Sequence, residues 1–126
     1  ANRRGNEGAY KGYVPSYGIW ENELIAKETP DKYEIDKNKL VIFEEFLELT
    51  QQNNIPLIVV YSPVYYLYNK NYSVEVCMNI CKKYNVSFVD FSKDIDFLEN
   101  KQLFNDRQHL NKDGAKLLTQ KVLKVL

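Results

Sequence analysis

The sequence contains a single histidine, His109, which stands three residues after Asp106. Histidine takes up and releases a proton near neutral pH, and a neighbouring carboxylate can fix its tautomer and its orientation. Asp106 and His109 could make such a proton-transfer pair. The alternative is structural, because Asp106 can cap a turn and His109 can simply hydrogen-bond to the chain before a helix.

The residues around this pair extend the pattern. The stretch 104–115 reads Phe-Asn-Asp-Arg-Gln-His-Leu-Asn-Lys-Asp-Gly-Ala and leads into an amphipathic segment. This Asp-x-x-His-Leu-Asn-x-x-Gly-Ala pattern resembles the last sequence block of the SGNH (GDSL-like) hydrolases. The resemblance implies that Asp106 and His109 belong to a Ser-His-Asp triad, with His109 as the general base and Asp106 as the acid that orients it. It also implies that the complete protein is an acyl esterase or acyltransferase.

The resemblance covers only about residues 36–126. That family carries its serine in a Gly-Asp-Ser-like turn near the N-terminus, with glycine and asparagine donors in middle blocks, and this sequence contains none of these blocks. We therefore expect this chain to be the C-terminal half of such a domain and to be inactive alone. Its expected partner is the missing N-terminal half of the same domain. The chain looks most like cell-envelope members, including those resembling the D-alanine transfer protein of teichoic acid synthesis. An acyl-ester or surface-glycan substrate is implied.

Candidate residues for the rest of the site follow the first predicted strand. Ser62 is the internal candidate for a nucleophile, although Pro63 removes the next N–H, which a nucleophile elbow uses as an oxyanion donor. A turn that ends the strand is the alternative role of Ser62. Tyr65 and Tyr66 are candidates for the substrate rim, since tyrosine suits a half-open cleft. Asn111 is a further rim candidate and can also cap the last helix.

Composition excludes some classes of function and leaves one rival. The chain has 17 basic and 17 acidic residues, so we expect no nucleic-acid partner. No segment approaches the roughly 20 apolar residues of a membrane span, and we expect no span. Ten tyrosines leave room for a non-catalytic α/β binding or interaction module with a tyrosine-rich rim.

Two clusters could in principle hold a metal ion. Asp90, Asp94 and Asp96 offer carboxylate oxygens, but their spacing lacks the glycine and the terminal glutamate of a calcium loop. Cys77 and Cys81 have no further ligands nearby in the sequence, and we expect buried free thiols. We predict neither a metal site nor a cofactor.

The apolar pattern alternates between helix and strand. Helical periodicity covers 36–53, 72–84 and the segment after Asn111, and β-branched runs cover 55–61 and 86–91. Asp36 or Asn38 can cap the first helix, and Tyr72 or Ser73 the second. Asn53–Asn54 and Asn85 turn the chain from each helix into the strand that follows. This order predicts an α/β fold of three-layer αβα type, in which helices flank a small parallel sheet, as in flavodoxin-like and partial SGNH folds. Ligands of such sheets bind at the carboxyl ends of the strands, where Ser62 and the loop 92–109 would meet.

The domain limits follow from the same pattern. We expect residues 1–18 to form an irregular or mobile arm and residues 19–126 to form a single α/β domain. Residues 21–28 could make one or two helical turns, and 65–72 should be a loop. Because half a sheet leaves an edge unpaired, we also expect homo-oligomers formed by strand or helix exchange.

Overall fold

A computed structural model describes residues 13–126 of the chain. Helices alternate with short strands, which confirms the mixed α/β class. In chain order the elements are β1 (Ile25–Lys27), α1 (Lys37–Gln52), β2 (Ile58–Tyr61), β3 (Tyr66–Tyr68), α2 (Tyr72–Lys83), β4 (Ser87–Asp90), α3 (Ile95–Leu98), a 3₁₀ turn (Lys101–Leu103) and α4 (Lys112–Leu123).

The strands form two separate two-stranded parallel sheets. In the pair that was predicted, β2 lies beside β4 with Val59 opposite Phe88. The second pair, β1 with β3, corrects two predictions, because 21–28 does not form helical turns and 65–72 is not wholly a loop. Each of these strands has three residues and its partner is remote in sequence, so local patterning carries little signal for them.

Helix α1 begins and ends where its sequence signals predict. The Asp36 carboxylate accepts the Asn38 N–H at 2.9 Å and caps the N-terminus. At the other end Asn54 adopts a φ of 52°, and the Ile55 N–H donates to the Thr50 carbonyl at 2.8 Å. This is a Schellman ending, for which asparagine is second only to glycine.

Helix α2 uses the same ending but a different cap from the one predicted. Asn71, rather than Tyr72 or Ser73, lies at its N-cap and accepts the Val74 N–H at 3.3 Å. Asn85 follows the helix with a φ of 54°. The two cysteines of α2 are free thiols, with Cys81 buried and Cys77 half-buried. Burial raises the pKa of both thiols.

A polar cluster joins the end of α2 to α1. The Tyr84 hydroxyl donates to the carboxylates of Glu44 and Glu48, each at 2.8 Å, and Lys83 Nζ lies 2.6 Å from Glu44. These two carboxylates, Glu44 first, raise the pKa of Tyr84 to about 12, because a phenolate would face two negative charges. These contacts tie the C-terminal end of α2 to α1.

The main apolar core lies between α3, the 3₁₀ turn and α4. Tyr65, Phe97 and Phe104 form its buried centre, with the rings of Tyr65 and Phe104 5.1 Å apart. Partly buried apolar side chains pack around it: Trp20, Leu24, Leu103, Leu110, Leu117 and Leu118.

Part of the predicted N-terminal arm is anchored to the domain. The Ser16 carbonyl accepts the Lys112 N–H at 2.7 Å, and the Gly18 carbonyl accepts from Asn111 Nδ2 at 3.0 Å. The rest of the predicted arm, residues 1–12, lies outside the described residues. Within 13–126 no helix has the length and apolar character needed to cross a membrane.

Candidate active site

A short loop carries the predicted catalytic pair. Phe104 and Leu110 meet as an isolated antiparallel bridge, and the Asn105 N–H donates to the His109 carbonyl at 2.8 Å. Phe104 is fully buried and Leu110 packs against the same core. Both ends of the loop are thus fixed to the apolar core, while its middle faces solvent.

The structure brings Asp106 and His109 into direct contact. His109 Nδ1 lies 2.9 Å from Oδ1 and 2.9 Å from Oδ2 of Asp106. The same carboxylate accepts the backbone N–H groups of Gln108 at 2.8 Å and of His109 at 3.0 Å. The His109 side chain is 72% exposed, and Nε2 has no hydrogen-bond partner within residues 13–126. An Nδ1–H that donates to Asp106 leaves Nε2 as the free base.

The surroundings of Asp106 favour its ionised form. Partial burial acts to raise the pKa of this carboxyl group, but the Gln108 N–H and the His109 side chain more than offset it. The net result is a lowered pKa. Asp106 is therefore an acceptor at neutral pH, as an orienting carboxylate must be.

Of the two candidate rim tyrosines, one supports the loop and one faces it. Tyr65 is 4% exposed, its ring belongs to the core, and its N–H donates to the Arg107 carbonyl at 2.8 Å. Tyr66 is half-buried, and its ring centroid lies 5.6 Å from the guanidinium carbon of Arg107. Of these two tyrosines, Tyr66 is the one whose ring faces Arg107.

Asn111 directly follows this loop in the sequence. It is 5% exposed, and its Oδ1 caps α4 by accepting the N–H groups of Asp113 and Gly114, each at 3.1 Å. Its Nδ2 donates to the Gly18 and Gln102 carbonyls at 3.0 and 2.6 Å. The predicted cap is confirmed, and the amide is fully used by the backbone.

Ser62 is the internal candidate for the nucleophile. It is exposed, its hydroxyl lies 3.5 Å from the Pro63 carbonyl, and within residues 13–126 it hydrogen-bonds to neither Asp106 nor His109. The structure thus brings two candidate catalytic residues together and does not join Ser62 to them.

The predicted acidic cluster is occupied by internal contacts. Lys121 Nζ lies 2.8 Å from Asp94 and 2.6 Å from Asp96, and Asp90 accepts the Ser92 N–H at 2.8 Å. Among the described residues, no three histidine, cysteine, aspartate or glutamate side chains are grouped closely enough to hold a metal ion.

Sequence reasoning did not single out Arg107 or Trp20. The guanidinium carbon of Arg107 lies 5.2 Å from the Trp20 ring centroid, so a remote segment reaches the loop. The position of Arg107 between Asp106 and His109 was the one signal available in the sequence.

Comparisons with protein-family models, with curated proteins and with solved structures returned no significant match for this chain.

Proposed function

We propose that this chain is the C-terminal part of an SGNH-like acyl-ester hydrolase or O-acyltransferase, with a three-layer αβα fold in the complete domain. Its substrate would be an acylated cell-envelope polysaccharide or another ester. The observation that carries the proposal is the contact of both Asp106 carboxylate oxygens with His109 Nδ1 at 2.9 Å. An oriented imidazole with a free Nε2 is what a Ser-His-Asp mechanism requires of its base.

The chemistry runs in two acyl-transfer steps. His109 Nε2 removes the proton of a serine hydroxyl, whose oxygen attacks the ester carbonyl, and the departing alcohol takes that proton from His109. Water or a sugar hydroxyl, deprotonated in turn by His109, then attacks the acyl-serine; the serine–acyl bond breaks, and the serine oxygen takes the proton back from His109. Asp106 stays ionised throughout and stabilises the imidazolium.

Surfaces of the described domain support a missing N-terminal half as the source of the serine. On α1 the side chains of Ile42, Phe46 and Leu49 share one face and are 64%, 49% and 57% exposed. Within residues 13–126, β2 and β4 pair only with each other and keep one free edge each. An apolar helix face and unpaired strand edges are what a domain shows where further layers and strands belong.

The same surfaces underlie the proposed self-association. In the chain alone, a second copy would cover the α1 face or pair with a free strand edge. Sedimentation velocity over a range of concentrations should show dimers that Phe46→Glu reduces. A monomer at every concentration would contradict this part of the proposal.

The tautomer of His109 tests the proposed dyad directly. Because His109 is the only histidine, long-range ¹H–¹⁵N NMR spectra report its ring nitrogens without overlap. We expect the Nδ1–H tautomer in the wild type and a shift towards Nε2–H in Asp106→Asn. Asp113→Asn, which changes a carboxylate in the first turn of α4, is the matched control. An unchanged tautomer in Asp106→Asn would refute the dyad.

An esterase assay tests the missing nucleophile. We expect this chain to hydrolyse p-nitrophenyl acetate no faster than its His109→Ala and Ser62→Ala variants. If both variants lost a measurable activity, the chain would carry its own nucleophile, and the incomplete-site proposal would fail. A longer reading frame with a Gly-Asp-Ser-like turn should instead give activity that depends on His109.

A second candidate, a non-catalytic binding module, rests on a different place in the fold. A cavity of about 420 Å³ opens on the sheet face, bordered by Val59 of β2, Phe88 of β4, Phe43 of α1 and the phenol of Tyr61. This volume is in the range of small-ligand sites. NMR titration with neutral mono- and disaccharides, using Tyr61→Ala and Tyr66→Ala, separates the cavity from the loop. Shifts at the cavity, together with no esterase activity in the longer protein, would favour the module.

A further inference from the structure

Arg107 is held against two aromatic rings in the middle of the loop. Its guanidinium carbon lies 5.2 Å from the ring centroid of Trp20 and 5.6 Å from that of Tyr66. Its backbone carbonyl accepts the N–H of buried Tyr65 at 2.8 Å. Guanidinium groups stack on aromatic rings and keep their N–H fork directed outwards. Both the backbone and the guanidinium group of Arg107 are therefore held in place by contacts with the rest of the domain.

The guanidinium group of Arg107 has unpaired hydrogen-bond donors. Arg107 Nε is buried without a partner, and so is the indole Nε1 of Trp20 beside it. Within residues 13–126 the terminal nitrogens of Arg107 have no hydrogen-bond acceptor and no carboxylate within 4.0 Å. Lys83 and Lys101, by comparison, each lie within 2.7 Å of a glutamate.

Unpaired donors at one place call for an acceptor. Buried donors are almost always paired in folded proteins, and each exception needs an explanation. A guanidinium whose Nε–H is unpaired, beside an indole N–H that is also unpaired, favours a negatively charged oxygen ligand. Phosphate and carboxylate match the fork geometrically, because both can accept two parallel N–H bonds.

The position relative to His109 connects this group to the reaction. Arg107 stands two residues before His109 in the loop that the Asn105 N–H closes onto the His109 carbonyl at 2.8 Å. We propose that Arg107 binds an oxyanion, a phosphate or a carboxylate, on the acyl-bearing substrate and so selects anionic esters. The link to the substrate rests on the proposed function, whereas oxyanion binding itself does not.

Trp20 supplies the measurement. It is the only tryptophan in the chain and contacts Arg107, so its fluorescence reports a ligand on the guanidinium. The protein is titrated with inorganic phosphate, glycerol 3-phosphate and succinate at constant ionic strength. We expect a saturable change in the wild type and binding about tenfold weaker or worse in Arg107→Gln. Arg107→Lys, which keeps the charge but loses the fork, should lie between them.

Matched controls separate this site from general charge effects and from the proposed chemistry. Lys83→Gln removes one positive charge from the α1–α2 cluster and should leave the titration unchanged. His109→Ala should also bind normally, so a failed dyad would leave anion binding intact.

If Arg107→Gln does not fold by circular dichroism, Arg107→Lys carries the comparison. No saturable response in the wild type, or an equal response in every folded Arg107 variant, would overturn the inference. A response to phosphates alone or to succinate alone would identify the oxyanion.

Discussion

Asn111→Ala is expected to destabilise the protein far more than the loss of an ordinary helix cap. The Asn111 side chain makes four hydrogen bonds, two to the first turn of α4 and two to the carbonyls of Gly18 and Gln102. It is 5% exposed, so water has little access to replace them. One side chain thereby joins α4, the 3₁₀ turn and the segment before β1.

The expected cost follows from these contacts. Losing the cap costs about 1 kcal/mol, and leaving each of two carbonyls without its donor adds about 1 kcal/mol more. We therefore expect the free energy of unfolding to fall by about 3 kcal/mol. Asn111→Asp separates the two parts, because it keeps the capping oxygen but places a carboxylate against the two carbonyls.

Urea denaturation, followed by circular dichroism and by Trp20 fluorescence, measures this loss. Asp36→Ala is the matched control, since Asp36 is an exposed cap with one side-chain hydrogen bond, to the Asn38 N–H, and should cost about 1 kcal/mol. If Asn111→Ala lowered the free energy of unfolding by the same amount as Asp36→Ala, within about 0.5 kcal/mol, Asn111 would not be a joint between three segments. An Asn111→Asp variant as stable as the wild type would contradict the role assigned to the Nδ2 donors.

Three further predictions concern packing and pH. Gly114→Ala should lower the free energy of unfolding by about 1–3 kcal/mol in urea denaturation, because a Cβ there would clash with the Leu103 carbonyl; equal or higher stability would contradict this close approach. The lowered pKa of Asp106 makes a stability contribution that is present above the usual value of 3.8 and is lost as the pH falls through the folded-state pKa. Asp106→Asn should flatten that acid dependence. The Tyr84 phenol, with a pKa of about 12, contributes stability that is present below pH 10 and lost as the pH rises through about 12; Glu44→Gln should move its ultraviolet titration, isolated by subtracting Tyr84→Phe, towards 10.

Helices α1 and α2 could be predicted because their signals are local. The Asp36 cap, the apolar spacing and the asparagines that follow each helix act within a few residues. The apolar pattern did not show which side chains are covered. Leu47 is fully buried, whereas Ile42, another apolar residue of α1, is 64% exposed.

In the candidate site, too, local contacts could be anticipated from the sequence and non-local ones could not. Asp106 and His109 lie within one short loop, so their spacing allowed the contact, and the structure shows that they make it. The burial of Tyr65 could not be predicted, since it depends on a ring from a different segment, Phe104. The contact of Arg107 with Trp20 is likewise non-local.

The sequence by itself determined the limits of α1 and α2, the parallel pairing of β2 with β4, the α4 cap and the Asp106–His109 spacing. Each is set by backbone geometry and hydrogen bonds over short spans, or by strong apolar runs. Only the tertiary structure decided the β1–β3 pair, the use of Asn111 as a joint and the placement of Arg107 against two rings. Those features depend on which distant groups share a neighbourhood, because burial and the pairing of donors are properties of the packed chain rather than of any one segment.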